Sequence, residues 1–116
     1  MKKFKNIIYL LKIDTPDGRL YKIGSSKNES ISKRIQALQT GCPYEIKLSG
    51  KFESEFGQIV ERTFHNRYKH CRTFGEWFSL DILEELSFLE NCKKIEENNI
   101  TLEKNNLNSY ANNRYT

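Results

Sequence analysis

Residues 6–25 read NIIYLLKIDTPDGRLYKIGS, and this stretch decides the fold. Ile7, Tyr9, Leu11 and Ile13 alternate with Ile8 and Leu10, so a strand over Asn6–Ile13 carries apolar groups on both faces. Such a strand belongs in the middle of a sheet that is covered on both sides. Asp14–Gly18 (DTPDG) is dense turn chemistry, because Pro16 presets φ and Asp17-Gly18 supplies a positive φ. Leu20–Ser25 returns as a second strand, which makes an antiparallel hairpin.

Beyond the hairpin the period changes from two to 3.6. Ile31, Ile35 and Leu38 space a helix over Ile31–Gln39, with Ser30 or Asn28 as its cap and Thr40-Gly41-Cys42-Pro43 as its stop. Residues 45–52 alternate again as a third strand, with Ile46, Leu48, Gly50 and Phe52 on one face. Phe56, Ile59, Val60, Phe64 and Tyr68 give a second helix over about residues 54–68. After Trp77-Phe78, Ser79 caps a third helix with Leu83, Leu86 and Leu89 inward. From Asn98 on, 7 of 19 residues are Asn and aliphatics are few, which predicts a fraying tail. The expectation is a small α/β domain, a three-stranded antiparallel sheet flanked by helices. Its core spans about residues 6–81 of a domain over 1–95, with a C-terminal helix over about 80–95 and a flexible tail over 96–116.

At 116 residues the chain has room for one core. Its longest apolar run, Ile7–Leu11, is too short for a bilayer, and no secretory leader is apparent at the start. A cytoplasmic protein, or one of the host-cell interior if viral, is the expectation. Cys42, Cys71 and Cys92 form no close pair, so they read as reduced packing thiols rather than a zinc site. The net charge of +4 hides an asymmetry. Residues 1–72 carry 15 Lys or Arg against 7 Asp or Glu, whereas residues 73–116 carry 4 against 8. A basic front portion suits a polyanion, and the acidic end is expected to face away from it.

Five segments in order, IIYLL (7–11), YKIGSS (21–26), KRIQALQTGCP (33–43), VERTFHNRY (60–68) and GEWFSL (75–80), resemble the GIY-YIG nuclease superfamily. The likeness is nearest to its short phage and giant-virus branch, usually described as DNA-binding. The resemblance implies a metal-dependent endonuclease acting on DNA. Tyr9 matches the tyrosine that serves as general base, Arg34 the arginine that grips the scissile phosphate, and Glu61 the single acidic ligand for Mg²⁺ or Mn²⁺. His65, four residues after Glu61 on the same helical face, matches a histidine recurrent in the branch that relays a proton or touches phosphate.

The residue chemistry is compatible with those roles. Phosphodiester hydrolysis needs an activated water, neutralised phosphorane charge and a Lewis acid. An ordinary phenol is a poor base at neutral pH unless positive charge stands beside it, which Lys22 and Arg34 would provide. A planar guanidinium matches phosphate better than a point charge does. One carboxylate suffices for Mg²⁺ when water and phosphate complete its shell. Two positions depart from the family pattern: Ile7 replaces the glycine of the first motif, and Lys22 replaces the second tyrosine. Tyr21 cannot stand in for it, because neighbouring strand residues face opposite ways. Gly24 suits close backbone approach. Lys22, Lys33, Arg34, Arg67, Lys69 and Arg72 are the expected nucleic-acid contacts, Trp77 and Phe78 are core anchors or base-stacking groups, and a targeting partner or homodimer is expected to add specificity. Two alternatives stay open: a non-catalytic nucleic-acid-binding module on the same fold, and a protein-interaction domain that has lost both roles.

Overall fold

A computed structural model describes residues 6–27 and 31–113, with side chains as far as residue 105. The hairpin forms as its pattern requires. Strand β1 (Asn6–Thr15) pairs antiparallel with β2 (Gly18–Lys27) through a two-residue tip, Pro16-Asp17. Gly18 has φ 129°, and the Thr15 hydroxyl donates to its carbonyl at 2.7 Å. Strand β3 (Lys47–Ser54) lies antiparallel on the other side of β1, so the sheet order is β2-β1-β3. The doubly apolar strand is therefore central, and the three-stranded α/β class holds.

Each face of β1 feeds its own core. Ile8 and Leu10 join Tyr21 and Ile23 under helix α2 (Gly57–Arg67) and helix α4 (Phe88–Asn113), with Val60, Phe64, Phe78 and Phe88 filling the layer. Tyr9, Leu11 and Ile13 pack under helix α1 (Ile31–Gln39) with Ile31 and Ile46. Phe64 and Phe78 are at most 1% exposed, so truncating either to alanine would cost about 3–5 kcal/mol. The proposed caps Asn28 and Ser30 lie outside the described residues. Gly41 is not among the glycines of positive φ; Gln39 instead holds the end of α1, accepting from Ile46 N at 2.8 Å and donating to Tyr44 O at 2.8 Å.

Several expectations need correction. Strand β3 does not keep Ile46, Leu48, Gly50 and Phe52 on one face. Leu10 pairs with Gly50 but Leu11 with Leu48, so Ser49 is bulged out and the parity of the strand changes there. Gly50 and Phe52 face α4 and α2, whereas Ile46 joins the core under α1, and Leu48 is left exposed. Ile59 is also exposed, because the buried seam of α2 narrows to Val60 and Phe64.

The third helix is broken in two. Asp81, not Ser79, caps the short helix α3 (Ile82–Leu86) by accepting from Glu84 N at 3.1 Å. Ser87 separates it from α4, which turns Phe88, Cys92 and Ile95 inward at helical spacing. Leu83, Leu86 and Leu89 consequently lie 50–73% exposed. Helix α4 continues past residue 95 through the Asn-rich segment to Asn113, with side chains exposed from Ile100 to Asn105. The three cysteines are unpaired; Cys92 sits in the core, where burial pushes its thiol up to about 12.

The acidic C-terminal portion does not stay apart from the basic one. Glu85 of α3 accepts from Lys12 Nζ (3.0 Å), Tyr21 Oη (2.7 Å) and Ser49 Oγ (2.6 Å). Burial opposes its charge, but those hydrogen bonds outweigh that and hold the carboxyl down to about 2. Tyr68 Oη likewise donates to Glu84. No described helix is long and apolar enough to cross a membrane.

Candidate functional site

The site is built around the outer edge of β2. Register places Tyr9 opposite Gly24, and a Cβ on residue 24 would collide with the Tyr9 hydroxyl. Glycine is thus what leaves room for that group. The Tyr9 ring is 1% exposed, and its Oη accepts a hydrogen bond from Arg34 Nε at 3.4 Å. Arg34 is mostly exposed on the first turn of α1 rather than tucked into its buried edge, and its side chain bends back to reach the tyrosine. The hydrogen bond with Tyr9, with help from the carboxylates of Glu76 and Glu61, raises its pKa further.

Helix α2 supplies the opposite wall. Glu61 and His65 are one turn apart. His65 Nε2 lies 2.8 Å from the Ile23 carbonyl, which can only accept, so Nε2 carries the hydrogen and Nδ1 is left as the basic nitrogen. The ring also rests against Phe78, with centroids 5.6 Å apart. Phe78 itself exchanges two backbone hydrogen bonds with Tyr21, at 2.9 and 2.7 Å, closing β2's edge beside the site. Ser25, Arg34, Gln58, Glu61, Arg62 and His65 line a groove of about 490 Å³.

Lys22 points to the Tyr9 side of the sheet, as strand alternation demands, while Tyr21 points to the other and donates to Glu85. Lys22 is 7% exposed, with Nζ 5.9 Å from the Trp77 ring centre and ion-paired to Glu76. That lysine holds the Glu76 carboxyl below the usual carboxylate range, and His65 and Arg34 add to the effect. Tyr9, Lys22, Arg34, Glu61 and His65 therefore form one neighbourhood.

The outer basic residues divide differently. Lys33 is exposed beside Arg34 on α1. Arg67 belongs to another cavity with Tyr68, His70 and Glu84, and its guanidinium lies 5.7 Å from the Phe64 ring centre. Arg72 sits 6.0 Å from the Phe78 ring centre, and Lys69 is exposed on the 3₁₀ turn Lys69–Cys71. None of these last three lines the groove. Sequence reasoning missed Glu76 and Arg62. Glu76 lies inside the GEWF segment, where only the aromatics attracted attention, and Arg62 adjoins Glu61.

Glu61 is half-buried at the groove and makes no hydrogen bond or ion pair among the described residues. No group of three or more His, Cys, Asp or Glu side chains is placed to hold a metal among those residues. A single free carboxylate fits a hard cation that keeps most of its water, such as Mg²⁺, and does not fit a closed protein cage.

No curated protein and no solved structure matches the chain. A family model for the T5orf172 domain does match, over residues 6–95. That span takes in the whole sheet, helices α1, α2 and α3 and the first turns of α4. By that match the chain belongs to the T5orf172 domain family, a phage-associated family related to nuclease modules.

Proposed function

We propose that the groove between α1 and α2 is the active site of a metal-dependent endonuclease of the GIY-YIG type that hydrolyses phosphodiester bonds in DNA. The convergence of Tyr9, Arg34, Glu61 and His65 on one side of the β2 edge carries this reading. Arg34 spends its Nε on Tyr9, which leaves its two terminal nitrogens to grip the scissile phosphate. Tyr9 Oη, held in place by Arg34 and by the space at Gly24, takes the proton of the attacking water as the phenolate that the Arg34 guanidinium stabilises. His65, oriented by the Ile23 carbonyl, relays a proton through Nδ1 or touches the phosphate. Lys22 exchanges Glu76 for substrate phosphate and orients it. Magnesium or manganese bound at Glu61 would supply Lewis-acid stabilisation of the leaving oxygen. DNA is the proposed partner, with a targeting protein or a second copy adding specificity inside the host cell.

A second reading is favoured by one observation: Lys22, at the place of the family's second tyrosine, is already occupied by Glu76. On that reading the same cations bind nucleic acid without cutting it. Incubation of supercoiled plasmid with the protein and Mg²⁺ or Mn²⁺ separates the two. The nuclease reading expects open circles that disappear with EDTA and with Glu61→Ala. Absence of metal-dependent nicking, or nicking that survives Glu61→Ala, would overturn it. Binding that weakens steeply with salt and no cutting would then select the binding module.

A further inference from the structure

Two cavities outside the groove share a wall. One, of about 690 Å³, lies against the hairpin tip and is bounded by Arg19, Tyr21, Tyr44, Phe74 and Ile82 among others. The second, of about 350 Å³, is bounded by Leu38, Tyr44, Phe74 and Trp77 among others. Tyr44 and Phe74 line both, so together they form one aromatic trough. Both volumes fall in the range of about 300–1,000 Å³ typical of pockets that enclose small flat ligands.

The trough adjoins the candidate active site in two ways. Trp77 lines the trough on one side and holds Lys22 Nζ near its ring on the other. Helix α1 presents Arg34 to the groove and, one turn on, Leu38 to the trough, a step of about 6 Å along the axis. Lys22, paired to Glu76, and Arg34 therefore stand near the trough, and Lys33 is exposed beside Arg34 on α1. Phe74 is held out rather than in. Trp77 N donates to Phe74 O at 3.0 Å, Thr73 N donates to Trp77 O at 2.9 Å, and Gly75 at φ 56° completes the tight loop. The ring remains 57% exposed on a fixed backbone.

Cations beside a trough of aromatic faces are what a strand with unpaired bases needs: phosphates at one level, ring faces at the next. A base-paired duplex keeps its ring faces stacked inside and has none to offer Phe74. We infer that the trough lined by Tyr44, Phe74 and Trp77 receives unpaired nucleobases next to the phosphate held at Arg34, so that the substrate is nucleic acid with a single-stranded segment. This rests on the groove being a phosphate site and does not require it to cut.

Trp77 is the chain's one tryptophan, which gives a readout independent of catalysis. The full chain in EDTA is titrated with an oligothymidine of about eight nucleotides, a typical length for one single-strand site. A blunt duplex is titrated in parallel, with tryptophan fluorescence and anisotropy both followed. The oligothymidine is expected to quench Trp77, and Phe74→Ala to weaken its binding about tenfold, as loss of one stacking platform does. Phe74→Tyr, which keeps the ring, should restore it, and duplex binding by Phe74→Ala should change less than twofold. Binding seen by anisotropy without quenching, or equal weakening of oligothymidine and duplex, overturns the inference, as does failure to bind oligothymidine at all. Quenching with the expected Phe74 effect but no nicking under Mg²⁺ supports the inference and removes the nuclease reading alone.

Discussion

Tyr9 and Tyr21 are equally buried, at 1% and 2% exposure, and sit on paired strands that face opposite cores. Their hydroxyls meet opposite charges. Tyr9 Oη accepts from the Arg34 guanidinium, whereas Tyr21 Oη donates to the Glu85 carboxylate. Burial, reinforced by Glu85, pushes the Tyr21 hydroxyl up to about 12, locking it as a donor. Behind Tyr21 lies a closed network of Lys12, Ser49 and Glu85; beyond Tyr9 lies a groove with a free carboxylate. Burial alone does not tell the two hydroxyls apart. The sign of the partner and the space beyond it do.

The comparison breaks most visibly in activity. Arg34→Ala is expected to lower metal-dependent nicking by about 10²–10³-fold, the usual effect of deleting a preorganised charge donor, with the thermal midpoint within about 3 °C of wild type. Tyr9→Phe should behave the same way. Nicking that survives either substitution would place the chemistry elsewhere.

On the scaffold side, Glu85→Gln is expected to cost about 3 kcal/mol in urea denaturation, since it removes charge-assisted hydrogen bonds and strands Lys12. Its pH dependence has a definite sign. Glu85 is depressed from 4.5 to about 2, so its stabilisation is present above pH 4.5 and disappears as pH falls towards 2. Glu76 and Asp14 are depressed as well, by Lys22 and Arg19 respectively, so Glu85→Gln should flatten the acid limb without abolishing it. An unchanged acid limb would remove Glu85 from the account.

Gly24→Ala tests the contact between the two strands themselves. The new methyl meets the Tyr9 hydroxyl, which predicts a loss of about 2 kcal/mol together with reduced nicking. The smallest effect is expected for Tyr21→Phe: about 1 kcal/mol of stability and no loss of nicking. If Tyr21→Phe instead lowered nicking as Tyr9→Phe does, the distinction between the two tyrosines would fall.

Much of this was legible in the chain. The double apolar alternation of Ile7–Ile13 put β1 at the centre, and the period of Ile31, Ile35 and Leu38 matched α1. The five residues expected to do chemistry were singled out by the family resemblance, and the fold gathers them into one neighbourhood. Two of the failures share a physical cause: a local period is interrupted in the middle of a run that otherwise keeps it. Ser87 splits the last helical pattern and leaves Leu83, Leu86 and Leu89 outside. Ser49 shifts β3 by one residue. Glu76 could not be assigned to Lys22 from spacing, because the two meet only through tertiary packing across 54 positions of chain.

The bulge at Ser49 also constrains how this protein can vary. Because it reverses parity, the segment from Ile46 to Gly50 links one hydrophobic layer to the other. Gaining or losing one residue there would turn Ile46 away from the layer under α1 to the opposite face of the sheet, whereas a change of two would restore the original assignment. The hairpin tip at Pro16-Asp17 bears no such counting rule, since it is exposed and joins neither layer. Length changes in the sheet should therefore accumulate at the tip in any number, and at the bulge only in even steps.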